Sequence, residues 1–232
     1  MVIALVLSGG TGSRLGADIP KQYLRVQGRP VLLYCMETLH KSPVIDAVQI
    51  VAAQEWQEEI GSWLEAYGLA EKFRGFSLPG ENRQLSIFHG LIDIRQYAEE
   101  DNLVLIHDAA RPLLSQKLIA DCEEAIREHD GVLPVLPMKD TVYYSKDGRQ
   151  ITSLLDRQAV FAGQAPELFR LGTYYQANER LLPEEILRIN GSTEPAVLAG
   201  MQIAMVPGDE RNFKITTPAD LERFRQIVEN EA

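Results

Sequence analysis

An unbroken apolar run opens this chain and is cut off by glycines. Met1 and the stretch from Val2 to Leu7 carry no polar side chain, and Ser8-Gly9-Gly10-Thr11-Gly12 follows at once. A short apolar run with β-branched residues, closed by a turn signal, reads as a buried parallel strand. Glycines let the backbone approach a ligand without a Cβ clash and reach positive φ. Their N–H groups can then converge on an anion. Arg14 and Lys21 come next, with Pro20 fixing the backbone before the lysine. A glycine loop behind a first strand, backed by two cations, predicts a polyphosphate site. The alternative is a tight turn with two surface cations. The loop is not a Walker A motif, because Gly12 is followed by Ser13-Arg14 rather than Lys-Ser/Thr. Nor is it a dinucleotide fingerprint: Leu15 stands where the third glycine is due, and Gly16 comes one place late.

The rest of the chain alternates in the same way. The patterns predict helices over 30–39, 54–67, 85–97 and 115–129, and strands over 47–53, 73–78, 103–106 and 132–135. Pro30 suits a first helical turn. Trp56, Ile60, Trp63 and Leu64 mark one apolar face of the second helix. Ser115 is a natural N-cap. This β-α rhythm implies an α/β, Rossmann-like three-layer sandwich with a mostly parallel sheet. In such sheets ligands sit beyond the carboxyl ends of the strands. The glycine loop, the segment after Leu78 and the segment after Ile106 all fall on that edge.

No repeat, low-complexity tract or linker divides the 232 residues, so the expectation is one domain spanning 1–232. At 45% hydrophobic content the chain can bury a full core. The net charge of −10 argues against a nucleic-acid partner but not against a small anion held by a local basic cluster. No apolar run approaches the ~20 residues of a membrane span. With no basic leader ahead of the first strand, the expected location is cytoplasmic. Cys35 and Cys122 lack metal-ligand spacing and read as small core residues.

Four further stretches stand out. Pro79-Gly80-Glu81-Asn82-Arg83-Gln84-Leu85-Ser86 follows a strand and opens a helix; Gly80 permits close approach, and Ser86 can donate to a base or phosphate. His107-Asp108-Ala109-Ala110-Arg111-Pro112 places a carboxylate at a strand end, where it is suited to Mg²⁺ on a triphosphate. Ala109 and Ala110 leave room for a nucleotide, and His107 reads as structural. Residues 140–156 break the rhythm: Lys146-Asp147-Gly148 signals a hairpin turn between β-prone runs at 141–145 and 149–154. Near the C-terminus Lys214 lies on a short β-prone run, and Thr217, Pro218 and Asp220 spell a helix start with Thr217 as N-cap.

The pattern L-S-G-G-T-G-S-R-L-G-x-x-x-P-K-Q-Y-L, with H-D-A-A-R-P and N-x-K-I-T-T-P-x-D-L in order behind it, resembles the family of 2-C-methyl-D-erythritol 4-phosphate and ribitol-5-phosphate cytidylyltransferases. The resemblance implies that Leu7, Ser8, Gly9, Gly10, Thr11, Gly12, Ser13, Gly80, Glu81, Arg83, Ser86 and Ala109 bind CTP. It implies that Asp108, Arg111, Thr141, Arg157, Thr193 and Lys214 meet the acceptor, with Asp108 also holding metal. It implies that Arg14, Lys21, Arg157 and Lys214 are catalytic, and that 140–156 is an arm clasping a second subunit, so that Thr141 and Arg157 reach the partner's site. The partners so implied are CTP, a polyol phosphate and a second copy of the chain. An edge hairpin on the same domain is the alternative for the arm.

In the implied reaction the acceptor phosphate, already anionic, attacks the α-phosphorus of CTP in line and pyrophosphate leaves. Charge is the obstacle, so positioning and electrostatics dominate. The implied cofactor is Mg²⁺ or another divalent cation. The chain departs from the family pattern in having Ala165 for Thr, Glu167 for Gln, and Thr193 where an acidic residue near the polyol is usual. Ala109-Ala110, Ser86-Ile87 and Thr217-Pro218 lean toward the methylerythritol acceptor and isoprenoid precursor synthesis. Ser8 to Gly12 and Ala162-Gly163-Gln164 lean toward ribitol 5-phosphate. A CTP-binding protein without turnover is the remaining alternative; all four cations the chemistry requires are nonetheless present.

Overall fold

The computed structural model describes residues 1–10 and 19–231. The elements run β1 (Val2–Leu7), the short pair β2 (Arg25–Val26) and β3 (Arg29–Pro30), α1 (Val31–Lys41), β4 (Ala47–Val51), α2 (Gln54–Ala66) and β5 (Phe73–Ser77). Then come α3 (Arg83–Ile94), β6 (Leu103–Asp108), α4 (Gln116–Ala125) and β7 (Gly131–Pro137). The last third holds β8 (Val142–Tyr144), β9 (Ser153–Leu155), β10 (Phe161–Gly163), β11 (Glu167–Arg170), α5 (Leu171–Glu179), α6 (Glu194–Leu198), β12 (Ile203–Pro207) and α7 (Pro218–Glu231).

β1 is the spine of an eight-stranded sheet. It pairs in parallel with β4 on one side and β6 on the other, and β5 extends the β4 side in parallel. Side chains of β1 alternate between faces, as strand geometry requires. Val2, Ala4 and Val6 join a core with Leu32 and Met36 of α1, Ile60 and Leu64 of α2, and Leu118 and Cys122 of α4. Ile3 and Leu5 join Ile87, Leu91 and Ile94 of α3 and Tyr174 of α5 on the opposite face. The three-layer α/β sandwich is therefore present, and both cysteines are buried and free.

Beyond β6 the sheet turns over. β11 lies antiparallel to both β6 and β7, while β12 flanks β7 in parallel at the margin. β10 pairs antiparallel with the far end of β7. β10 and β11 thus follow one edge of β7, interrupted only by Gln164-Ala165-Pro166. Periodicity did not signal this reversed pair, because each piece is too short for a pattern.

Element ends differ from expectation where capping decides them. Asn82 accepts a hydrogen bond from Leu85 N at 2.8 Å, so α3 begins at Arg83 rather than 85. Ser115 caps α4 as expected, but the helix gives way to a 3₁₀ turn after Ala125. Residues 213–216 form no strand; Ile215 N donates instead to Ala110 O at 2.8 Å. In the 140–156 excursion the expected tight turn is a wider loop. Asp147 Oδ1 accepts from Arg149 N and Gln150 N, and Ser145 Oγ donates to Gln150 O. These side chains satisfy the loop backbone locally and leave β8 and β9 as a separate two-stranded sheet.

Candidate active site

The loop after β1 is held from beneath by the Lys21–Tyr23 3₁₀ turn. Gln22 Nε2 donates to Ser8 O at 2.7 Å and Gly10 O at 2.8 Å. Tyr23 OH donates to Ser8 O at 2.9 Å and accepts from Ser8 Oγ at 3.0 Å. Both side chains are buried, which leaves the preceding Lys21 on the cavity wall. Gly9 is a glycine because of packing: a Cβ there would stand 2.7 Å from Pro79 Cβ. Neither Gly9 nor Gly10 has positive φ, so the anticipated conformational reason does not apply to them.

The opposite wall comes from the β5–α3 loop. A Cβ on Gly80 would lie 2.6 Å from Leu85 Cγ, so only glycine fits. Gly80 N donates to Ser86 Oγ at 2.9 Å, and Ser86 Oγ donates to Asn82 O at 2.8 Å. Ser86, expected to donate to a ligand, gives its proton to the loop.

Asp108 ends β6 at the centre of a cationic cluster. Its Oδ1 accepts from Arg83 Nε at 3.1 Å; its Oδ2 lies 3.0 Å from Lys214 Nζ and 3.5 Å from Arg111 Nε. Burial alone would raise this carboxyl, but the charges of Arg83, Lys214 and Arg111 overcome it and hold the group far below the carboxylate range. Arg111 Nη1 donates to Asn212 O at 2.7 Å, tying the Lys214 loop to the end of β6. His107 is structural as expected. Nε2 donates to Arg111 O at 3.0 Å, and burial pushes the ring down to about 4.

A second set of groups stands behind the cluster. Arg83 Nη1 donates to Ser192 Oγ at 2.8 Å, and Ser192 Oγ donates to Glu167 Oε1 at 2.5 Å. Arg83 Nη2 is 3.9 Å from Glu167 Oε2. Tyr174 OH donates to Ser192 O at 2.7 Å and accepts from Gln84 Nε2 at 3.1 Å. Burial raises the Glu167 carboxyl, with the Arg83 charge opposing.

These walls enclose a cavity of about 570 Å³ at the carboxyl edge of β1, β4 and β6. Leu7, Gly9, Gly10, Lys21, Gly80, Glu81, Arg83, Ser86, Asp108 and Lys214 converge on it from the expected set. Thr11, Gly12, Ser13 and Arg14 lie outside the described residues. Ser8 is buried under the loop, and Ala109 is wholly in the core, where Ala110 takes the expected place on the wall. Thr193 is half-buried, with an Oγ1 that meets no partner. Thr141 and Arg157 are not brought to the cavity; Arg157 is exposed and donates to Lys139 O at 3.0 Å. Sequence reading assigned no site role to Gln22, Asn82, Glu167 or Ser192. Only the K-Q-Y motif pointed toward Gln22.

Among the described residues no group of three or more His, Cys, Asp or Glu side chains could hold a metal ion. Asp108 does not fit that task alone, because three cations already surround its carboxylate and would repel another. The arrangement can instead receive a polyanion: a carboxylate-organised set of cations faces a glycine-walled space at a strand edge.

The family model for 2-C-methyl-D-erythritol 4-phosphate cytidylyltransferase (IspD) matches residues 2–230. The chain belongs to this family. A cytidylyltransferase of that name from Geobacter metallireducens is 35% identical over 227 residues, covering 95% of this chain and 94% of the relative. A ribitol-5-phosphate cytidylyltransferase from Streptococcus agalactiae is 29% identical over 230 residues, covering 99% and 95%. The crystal structure of 4-diphosphocytidyl-2C-methyl-D-erythritol synthase from Anaerococcus prevotii has a TM-score of 0.83 at 26% identity, covering 98% of this chain and 96% of that one. Members of the IspD family are CTP-dependent nucleotidyltransferases, for which a divalent cation is typical. No helix among the described residues is long and apolar enough to cross a membrane.

Proposed function

We propose that this protein transfers the cytidylyl group of CTP to 2-C-methyl-D-erythritol 4-phosphate, as an isoprenoid precursor enzyme of the cytoplasm. The observation that carries the reading is the cavity itself: Lys21, Arg83 and Lys214 face one space with Asp108 among them. An acceptor phosphate oxygen forms a bond to the α-phosphorus, the bond from that phosphorus to the β-phosphate bridging oxygen breaks, and pyrophosphate departs. The nucleophile is anionic at neutral pH, so no side chain needs to remove a proton. Lys21, with Arg14 from outside the described residues, offsets the triphosphate charge. Lys214, fixed by Asp108, aligns the acceptor phosphate, and Arg111 keeps the Lys214 loop in place. Gly9, Gly10, Gly80, Glu81 and Arg83 take the nucleotide. A divalent cation, when bound, neutralises phosphate charge, and the triphosphate supplies the hard oxygens it prefers.

The arm carries the second part of the proposal. Tyr143, Tyr144 and Leu154 are exposed on a two-stranded sheet and Ile151 is exposed on the loop between its strands, and such a hairpin is marginal in water unless it packs. It clasps a second copy of the chain, which brings Thr141 and Arg157 to the partner's cavity. Ser8 to Gly12 and Ala162-Gly163-Gln164 favour ribitol 5-phosphate as a second reading, whereas Thr193 fits neither acceptor well. Incubation with CTP, magnesium and either acceptor, followed by pyrophosphate release, tests both. Release with methylerythritol 4-phosphate alone is expected; release with ribitol 5-phosphate alone overturns the first reading. Silence with retained CTP binding would mean a different acceptor or a binding protein.

A further inference from the structure

Glu167 is a buried carboxylate that does not face the cavity. It reaches the site edge because β11 runs against β6: its first residue pairs with Ile106, just before Asp108. Glu167 Oε1 takes the Ser192 hydroxyl proton, and Ser192 in turn accepts from Arg83. Oε2 is buried, has no hydrogen bond, and stands 3.9 Å from Arg83 Nη2. A half-satisfied buried carboxylate is costly unless its charge is used. Here the charge opposes that of Asp108 across one guanidinium. Asp108 holds the Nε side of Arg83, and the Ser192–Glu167 pair holds the other end. Without the rear anchor the guanidinium is free to close on Asp108 as a two-pronged pair, which would withdraw both charges from the cavity.

We propose, resting on the nucleotide-transfer reading above, that Glu167 is a positioning residue: through Ser192 it holds Arg83 open toward the cavity for the nucleotide. Glutamine at 167, the residue the family usually has there, would keep an acceptor for Ser192 and remove the charge, so Glu167→Gln tests whether this chain, with Thr193 in place of an acid, depends on that charge.

The test is a double-mutant cycle on CTP affinity, measured by titration calorimetry with magnesium, with melting temperatures recorded beside it. Glu167→Gln is expected to weaken CTP about tenfold in the wild-type background and less than about twofold in Arg83→Gln, since residues of one network are non-additive. Ser192→Ala, which cuts the same bridge, should follow the same rule and serves if Glu167→Gln fails to fold. In turnover the loss should appear in KM for CTP, with kcat within a few fold of wild type. Equal losses in both backgrounds, or no loss in either, would overturn the proposal. Because the readout is CTP binding, inactivity toward the acceptor would count against the proposed function and leave this result standing.

Discussion

Lys214 Nζ lies 3.0 Å from Asp108 Oδ2, although one residue ends a central strand and the other sits on a loop near the C-terminus. The contact depends on the loop's own ties, Arg111 to Asn212 O and Ile215 N to Ala110 O. Asn212 adds a third by donating to Ala165 O at 2.6 Å. The lysine is thus fixed before any ligand arrives, which is the condition for electrostatic catalysis without reorganisation.

Lys214→Ala is therefore expected to lower turnover by about 10²–10³, the loss typical of one such donor. CTP affinity should change only a few fold, because the nucleotide's own partners remain. Steady-state pyrophosphate release and CTP titration separate the two; a large loss of CTP binding would contradict the acceptor role.

Gly9→Ala drives a methyl group to 2.7 Å from Pro79, whereas a Cβ on Gly10 meets nothing within 4 Å among the described residues. Overpacking of this kind costs about 1–3 kcal/mol. The urea midpoint should fall for Gly9→Ala and stay near wild type for Gly10→Ala. Equal midpoints would mean that the two loops are not in contact.

His107 gives a pH signature. In the unfolded chain its ring titrates near the ordinary value of 6.5; in the fold, burial lowers it to about 4. Between those values the unfolded state binds the proton and the native state does not. Stability from this group is full above about pH 6.5 and is lost as pH falls toward 4. His107→Gln, able to keep the hydrogen bond to Arg111 O, should flatten the slope of unfolding free energy across that window. An unchanged slope would show that the ring does not titrate as described.

The arm predicts complementation. Ile151→Asp with Leu154→Asp should turn a dimer into a monomer by light scattering and reduce activity. Mixing inactive Arg157→Ala with inactive Lys214→Ala should restore up to about a quarter of wild-type activity, since half the subunits are paired crosswise and half of their sites are intact. Mixtures that stay inactive would place Arg157 in its own subunit's chemistry or in none.

Most of the parallel half of the sheet was legible, because strands such as Ala47–Val51 and helices such as Gln54–Ala66 carry full periods of their pattern. The cavity was legible where motifs sit at strand ends. What escaped was set by tertiary placement. Glu167 begins a four-residue strand whose direction no local pattern encodes, and Ser192 comes from a loop. Two departures from the family pattern, Glu167 and Thr193, looked unrelated in sequence. The structure sets Glu167 on Ser192, immediately beside Thr193, so a carboxylate absent at one position stands next door.

The edge shared by β10 and β11 has its own consequence. The chain leaving the arm joins β7 at Phe161, skips three residues, and resumes as the strand that carries Glu167. A second copy gripping the arm, as proposed, would pull on the line that ends at Arg83. Under the proposed clasp, output per molecule is expected to depend on crowding by its own kind: a dilute preparation, with arms ungripped, should work below the rate of a concentrated one.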